Sequence, residues 1–574
     1  MINRSLPFPS PTPTVGIPAP PMHPQLLAPF LLLAPSLVAQ QAPADFIVVN
    51  ARIYTADATR PVARALAVRD GVIVFVGSER GAEALAGSRT ERWDLDGKAV
   101  IPGMVDAHVH LVGLGEALRI VDLTGTRSYD EVVARVAERA RTARPGEWLR
   151  GRGWDQNDWA VTAFPTHEAL SQAVPNNPVM LGRVDGHAQL VNARALALAG
   201  ITRETPDPDG GRIVRDDGGN ATGVLVDRAM GLVSRVIPDQ TADDIRDATM
   251  AAIAEANRWG LTGIHDAGVG EDVIAVYEDL ARAGRYDLRN YVMVRADEAT
   301  LDRIMRRGPR VALHGGRLWV RAIKISSDGA LGSRGAALLE DYSDDPGNRG
   351  LLTADSALMR RVAAKALRSG FQVNIHAIGD AANRRVLDIF EDALTEVPAA
   401  DHRFRIEHAQ ILNYHDIPRF AQLDVIPSMQ GSHQTSDMYW VPNRIGWNRS
   451  QGTYAWRSLL NSGVVIPNGS DTPVESPNPL ISFKAFVSRS DADGYPEGGW
   501  FPAQKTTRQE ALLSMTLWPA YAAFMETVSG SLTAGKYADF VVLDQDIMTV
   551  AEEQILDTRV EMTVLGGKAI YRRN

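Results

Sequence analysis

The alternation of apolar and polar positions divides the chain into two β-rich ends and a long mixed middle. Asp45 to Val76 carries two strand-like runs, D-F-I-V-V-N-A-R-I-Y-T and A-L-A-V-R-D-G-V-I-V-F-V-G. The second run is interrupted by Asp70-Gly71, a two-residue hairpin signal between Val/Ile stretches. The same texture returns at Ser531–Leu543 and at Val560–Tyr571. This pattern predicts one small β-sandwich built from both termini, residues 45–98 and 526–574.

Between these ends, short apolar runs alternate with helix-period stretches, the signature of parallel βαβ units. Eight strands are predicted: Ala99–Val105, Leu261–His265, Arg289–Arg295, Leu318–Ile325, Phe371–His376, Phe404–His408, Val425–Met429 and Val464–Asn468. Helices fall between most of them, for instance Ala381–Leu394 behind Asp380 as its N-cap. The class is α/β, and eight such units over residues 99–525 predict a (β/α)8 TIM-type barrel. The gap from about Gly115 to Pro238 is too long for one crossover and predicts an inserted subdomain, residues 115–238.

Residues 1–44 stand apart as a leader. Leu26–Ala39 is apolar, but too short and too broken by proline for a membrane span of ~20 residues. It suits the core of a secretory signal better, so export to the periplasm or beyond is expected. The alternative is a cytoplasmic protein with a disordered leader. Met22 is an alternative start, and no later segment is apolar enough to span a bilayer.

Composition narrows the chemistry. The 574 residues include no cysteine, which excludes thiolate nucleophiles, disulfides and Cys-held metals. Any metal must be held by histidine, carboxylate or a modified lysine. The net charge of −9 and the lack of a basic stripe argue against nucleic acid as a partner. The expected partners are a small-molecule substrate and, in a homo-oligomer, a second copy of the chain.

Candidate chemistry sits at the predicted strand ends. V-I-P-G-M-V-D-A-H-V-H-L places His108 and His110 two apart, so their side chains leave a strand on the same side. Lys324 lies in the fourth strand, His376 and His408 end the fifth and sixth, and Asp471 follows the eighth. The carboxyl ends of barrel strands surround one mouth, so these six residues converge if the barrel is right.

These residues resemble the amidohydrolase superfamily, and several stretches are similar to its family 3, the YtcJ-like branch. They are G-R-G-W-D-Q-N-D-W at Gly151–Trp159, D-G-H-A-Q-L-V-N at Asp185–Asn192, K-I-S-S-D-G-A-L-G-S-R at Lys324–Arg334, H-A-I-G-D at His376–Asp380 and G-S-L-T-A-G-K-Y-A-D at Gly530–Asp539. The resemblance runs from about residue 45 to the end. It implies a metal-dependent hydrolase acting on a carbon–nitrogen bond outside ordinary peptides. It also implies two divalent ions, usually zinc. His108, His110 and Asp471 would hold one, His376 and His408 the other, and a carboxylated Lys324 would bridge them. Burial and nearby cations depress a lysine's pKa, and the neutral amine can add carbon dioxide. A metal-activated hydroxide would attack the carbonyl, with Asp471 carrying its proton to the leaving nitrogen.

Weaker signals surround this set. His187, Trp154, Arg334 and His433 are candidates for substrate contact, with Trp159 beside Trp154. His265, predicted to end the second strand and face the mouth, is a candidate to support a ligand from behind. Two other readings stand beside the first: a mononuclear deaminase or cyclic amide or ester hydrolase with unmodified Lys324, and a catalytically silent binding protein on the same barrel.

Overall fold

A computed structural model describes residues 42–573, apart from 155, 157–158, 162, 184–187, 209–210, 239 and 333–334. All of the leader but its last few residues, with its export signal, lies outside the described residues, as do the candidates His187 and Arg334.

The middle of the chain forms a parallel barrel. Its strands are Met104–Val109, Leu261–Val269, Arg289–Val294, Leu318–Ser326, Gln372–Ala377, Arg405–His408, Ile426–Gln430 and Asn468–Gly469, each hydrogen-bonded to the next in chain order. The first and last meet through single contacts rather than a ladder. Asp471 N donates to His108 O at 2.7 Å, and His110 N to Thr472 O at 2.9 Å. The buried Asp106 carboxylate adds a clamp, accepting from the amides of His108 (3.1 Å) and Ser470 (2.9 Å). The closure therefore falls on the stretch that carries His108, His110 and Asp471.

Three strands differ from the sequence reading, one of them the predicted Val464–Asn468, of which only Asn468 is in the strand, at Asn468–Gly469. Ala99–Val105 is not one strand: Ala99–Pro102 belongs to a different sheet, and the barrel strand begins at Met104. The chain changes sheets at Gly103, whose N–H donates to Asp539 O. A continuous apolar run does not reveal which sheet each half joins. The second strand does not stop at His265 but runs to Val269, because Ala267 and Val269 continue the ladder with Met293 and Val294. His265 thus lies midway down the barrel, buried, and does not face the mouth.

Both chain ends contribute to the flanking sandwich. One sheet orders Val72–Gly77, Ala65–Arg69, Phe46–Val49 and Glu91–Asp94. The other contains Ala99–Pro102 paired antiparallel with Phe540–Leu543, which pairs in turn with Val560–Leu565. Phe46, Val48, Leu66, Val68, Val100, Phe540 and Val564 fill the space between the sheets. Asp70 and Gly71, at φ 51° and 73°, make the tight turn between Ala65–Arg69 and Val72–Gly77, the positive φ pair that this hairpin type demands.

The motif at Gly530–Asp539 joins the sandwich to the barrel floor. Asp539 accepts two hydrogen bonds from buried Arg289, at 2.5 and 2.9 Å, and the guanidinium lies 3.6 Å from the Tyr537 ring centre. Between the first and second barrel strands, the chain also forms a six-stranded mixed sheet from Val121 to Asp227. No helix among the described residues is long and apolar enough to cross a membrane.

Candidate metal centre

Strand register assembles the site. Ser326, His376, Glu407 and Ser428 are partners across four neighbouring strands, so their side chains leave on the same face. Lys324, Asn374 and Arg405 form the row beneath. Regular alternation would turn His408 away from Glu407. His408 and Ala409 instead adopt φ of 74° and 43°, which swings the His408 ring back into the mouth. Asp471 is also left-handed, at φ 59°. Such conformations cost about 1–3 kcal/mol each and persist where surrounding contacts enforce them.

The expected cluster converges. His108 and His110 ring centres are 5.7 Å apart, His108 and His408 5.0 Å, and His376 and His408 4.5 Å. His108 Nε2 lies 3.4 Å from Lys324 Nζ and 3.6 Å from Asp471 Oδ1. His110 Nε2 lies 3.2 Å from the same Asp471 oxygen. His376 Nε2 lies 3.4 Å from Asp328 Oδ1, a buried carboxylate that accepts from the amides of Ala337, Ile378 and Gly379. A side chain at Gly379 would put its Cβ 1.9 Å from Ala337 O, so the H-A-I-G-D turn needs glycine there. Gly379 also caps the helix Asp380–Glu396 in place of the predicted Asp380, whose carboxylate receives the Leu339 amide instead.

Three imidazoles are fixed from behind. Nδ1 of His108 donates to Glu407 Oε2 (2.6 Å), that of His110 to Ala267 O (2.9 Å), and that of His408 to Gln430 Oε1 (2.8 Å). Each ring then keeps its proton on Nδ1 and turns the Nε2 lone pair inward, the arrangement that metal-ligating histidines take. Burial and the Lys324 ammonium push His108 down to about 4, and burial and His376 push His408 well down, so both rings are neutral. His376 Nε2 and His433 Nε2 are buried without a hydrogen bond. Burial also pushes the Lys324 ammonium down, toward a free amine. Neutral imidazoles with an adjoining carboxylate suit a divalent cation of the zinc type.

Two residues at the heart of this arrangement were not singled out from the sequence. Glu407 orients His108, and Arg405 holds Glu407, with Nε 2.9 Å from Oε1. Arg405 also donates to His265 Nδ1 (2.9 Å), Ala107 O (2.7 Å) and Ser428 Oγ (2.7 Å). Burial raises the Glu407 carboxyl, but Arg405 and His108 outweigh it and hold it far below its ordinary value. The available signal was R-I-E-H itself: two charged residues in a strand short enough to be wholly buried.

The remaining candidates separate. His433 lies at the mouth, its ring 6.0 Å from that of His408. His265 is inside the barrel, linked to His108 through Arg405 and Glu407. Trp154 is not a pocket residue: it is fully buried in the core of the Val121–Asp227 sheet, and its Nε1 donates to Leu181 O at 2.8 Å. Trp159 packs beside it at 6.0 Å and donates to Thr126 O. Large apolar surface and a locally satisfied N–H make both tryptophans core residues.

Comparison with known proteins agrees with this geometry. The chain is 35% identical over 541 residues to protein LONG AFTER FAR-RED 3 of Arabidopsis thaliana, covering 92% of each. It is 34% identical over 528 residues to the amidohydrolase YtcJ of Bacillus subtilis, covering 91% of this chain and 98% of that one. It is 30% identical over 550 residues to N-substituted formamide deformylase of Arthrobacter pascens, covering 92% and 98%. A solved structure of a metal-dependent hydrolase from Pyrococcus furiosus superposes with a TM-score of 0.74 at 29% identity, covering 88% of this chain and 100% of that one. With the amidohydrolase family model matching residues 91–571 and relatives covered almost end to end, the chain belongs to the amidohydrolase family, in its YtcJ-like branch.

Proposed function

We propose that this metal-dependent hydrolase cleaves the carbon–nitrogen bond of a small non-peptide amide, an N-substituted formamide being the first class to try. The observation that carries the reading is the set of inward-facing Nε2 atoms of His108, His110 and His408 grouped around Asp471. Similarity to a deformylase of N-substituted formamides supports the substrate class. Two divalent ions, with zinc first among them, would be held by His108, His110, His376, His408 and Asp471, and by Lys324 as its carbamate. Ions in such a site polarise a carbonyl and make a nearby water acidic near neutral pH.

The protein's own groups handle the protons. Burial raises the Asp471 carboxyl, but His110, His108 and His408 outweigh it, so the group is ionised. It takes the proton of the attacking water and returns it to the leaving nitrogen, which departs as a neutral amine. Glu407 keeps His108 in one tautomer throughout.

The test is metal analysis of the purified protein beside a panel of N-substituted formamides, N-acyl amino acids, cyclic imides and lactones. Turnover on an amide that chelation removes and zinc restores is the expected result. A protein that holds metal and turns over only lactones, or nothing on the panel, defeats the reading.

A further inference from the structure

The helix Gly431–Asp437 begins directly after the seventh barrel strand, and its first residues are pinned. Gly431 N donates to Asn468 Oδ1 (3.0 Å), Ser432 N donates to Ser482 Oγ (3.1 Å), and Gln430 receives the His408 Nδ1 proton. The next residue, His433, is thereby set beside His408, the two rings within 12° of parallel. Its Nε2 is buried and makes no hydrogen bond. That nitrogen lies 3.9 Å from Asp471 Oδ2, while Oδ1 of the same carboxylate faces His110 and His108 at 3.2 and 3.6 Å. Asp471 thus turns Oδ1 toward His110 and His108 and Oδ2 toward His433.

Two groups of three donors result. Ligand atoms of His108, His110 and Asp471 all lie within 4.8 Å of one another, and so do those of His408, His433 and Asp471. Among the described residues, no other His, Asp or Glu trio meets that condition. His376 stands edge-on to His408 and directs Nε2 at Asp328. A buried imidazole nitrogen left without a partner is unfavourable. A separation of 3.9 Å is too long for a hydrogen bond to Asp471, yet two ligands at ~2.0–2.2 Å from one cation reach it.

We propose that His433 is a ligand of a second cation position, which it shares with His408 and Asp471 Oδ2, so that Asp471 serves one cation on each oxygen. This rests on reading the site as a metal centre. The ion it suits is divalent and zinc-like, held by two imidazoles and a carboxylate.

The test uses the full chain stripped by a chelator, titrated with zinc against a chromophoric competitor and with cobalt(II) by visible absorption. Wild type, His433→Ala and His433→Asn are compared, each checked for folding by its thermal melt. In wild type, two equivalents are expected. Both His433 variants should lose one equivalent or weaken it at least 10-fold, with the cobalt spectrum of that equivalent altered and the tighter one unchanged. Two equivalents with wild-type affinities and spectrum in both His433 variants would overturn the proposal, whatever their activity, and so would a wild type that saturates at one. A wild type that binds no metal would instead sink the metal-dependent reading of the previous section.

Discussion

His108 Nδ1 and Glu407 Oε2 lie 2.6 Å apart, and neither side chain reaches solvent. Behind them, Arg405 holds the other Glu407 oxygen at 2.9 Å. The imidazole is therefore locked in its orientation and tautomer by an ion pair that water does not screen.

Glu407→Gln should weaken metal binding by about 10–100-fold, the usual cost of removing a carboxylate behind a ligating histidine. Zinc titration against a competing chelator measures it. Glu407→Ala should cost folding stability as well, by about 3–5 kcal/mol, because Arg405 is left buried and unpaired. Unchanged affinity in the glutamine variant would show that the contact does not matter to the metal.

Asp471→Asn should lower kcat on any amide the protein turns over by about 10²–10⁴-fold, since the amide cannot accept the proton. Steady-state rates on the best panel substrate read this directly. A kcat within a few-fold of wild type would remove Asp471 from proton transfer.

Metal affinity should fall with acid in two stages. Burial lowers the His110 pKa, but the contact with Asp471 outweighs it and leaves the ring above its ordinary value of about 6.5. Protons therefore compete at His110 first, and affinity should drop about tenfold per pH unit as pH falls through that raised value. His108, held at about 4, adds a second proton only near that pH. Metal titrations from pH 8 down to 5 should show the first stage alone.

A carbamate on Lys324 should make reconstitution depend on carbon dioxide. Apoprotein loaded with zinc in degassed buffer should gain activity when bicarbonate is added, because burial lowers the lysine's pKa and only the neutral amine adds carbon dioxide. Lys324→Arg should show no such gain. Equal activity of the wild type with and without bicarbonate would argue for an unmodified lysine.

Asp539→Asn should destabilise the chain by about 3–5 kcal/mol, since it breaks the buried pair with Arg289 at the barrel floor. Denaturant unfolding gives the loss. Metal content per folded molecule should stay at the wild-type value, because the pair sits at the opposite end of the barrel from the imidazoles.

Much of this was legible in the order of residues, because it depends on near neighbours. The Asp70-Gly71 turn, the period of the strands and the same-side pairing of His108 and His110 follow from geometry over two to four positions. Six of the residues at the centre could be named for the same reason: each ends or interrupts an apolar run. Trp154 misled because an aromatic among polar residues looks the same whether it lines a pocket or plugs a small core.

What only the tertiary structure decided is which of those groups reach one another. Arg405 and Glu407 meet His108 because the barrel brings the inward faces of its first and sixth strands, which are not neighbours, together across its interior. His408 faces inward only through its left-handed φ, and Asp471 reaches His108 and His110 with one oxygen and His433 with the other only because the last barrel strand closes on the first. These are contacts across hundreds of residues, and their energy lies in the assembled barrel rather than in any local pattern.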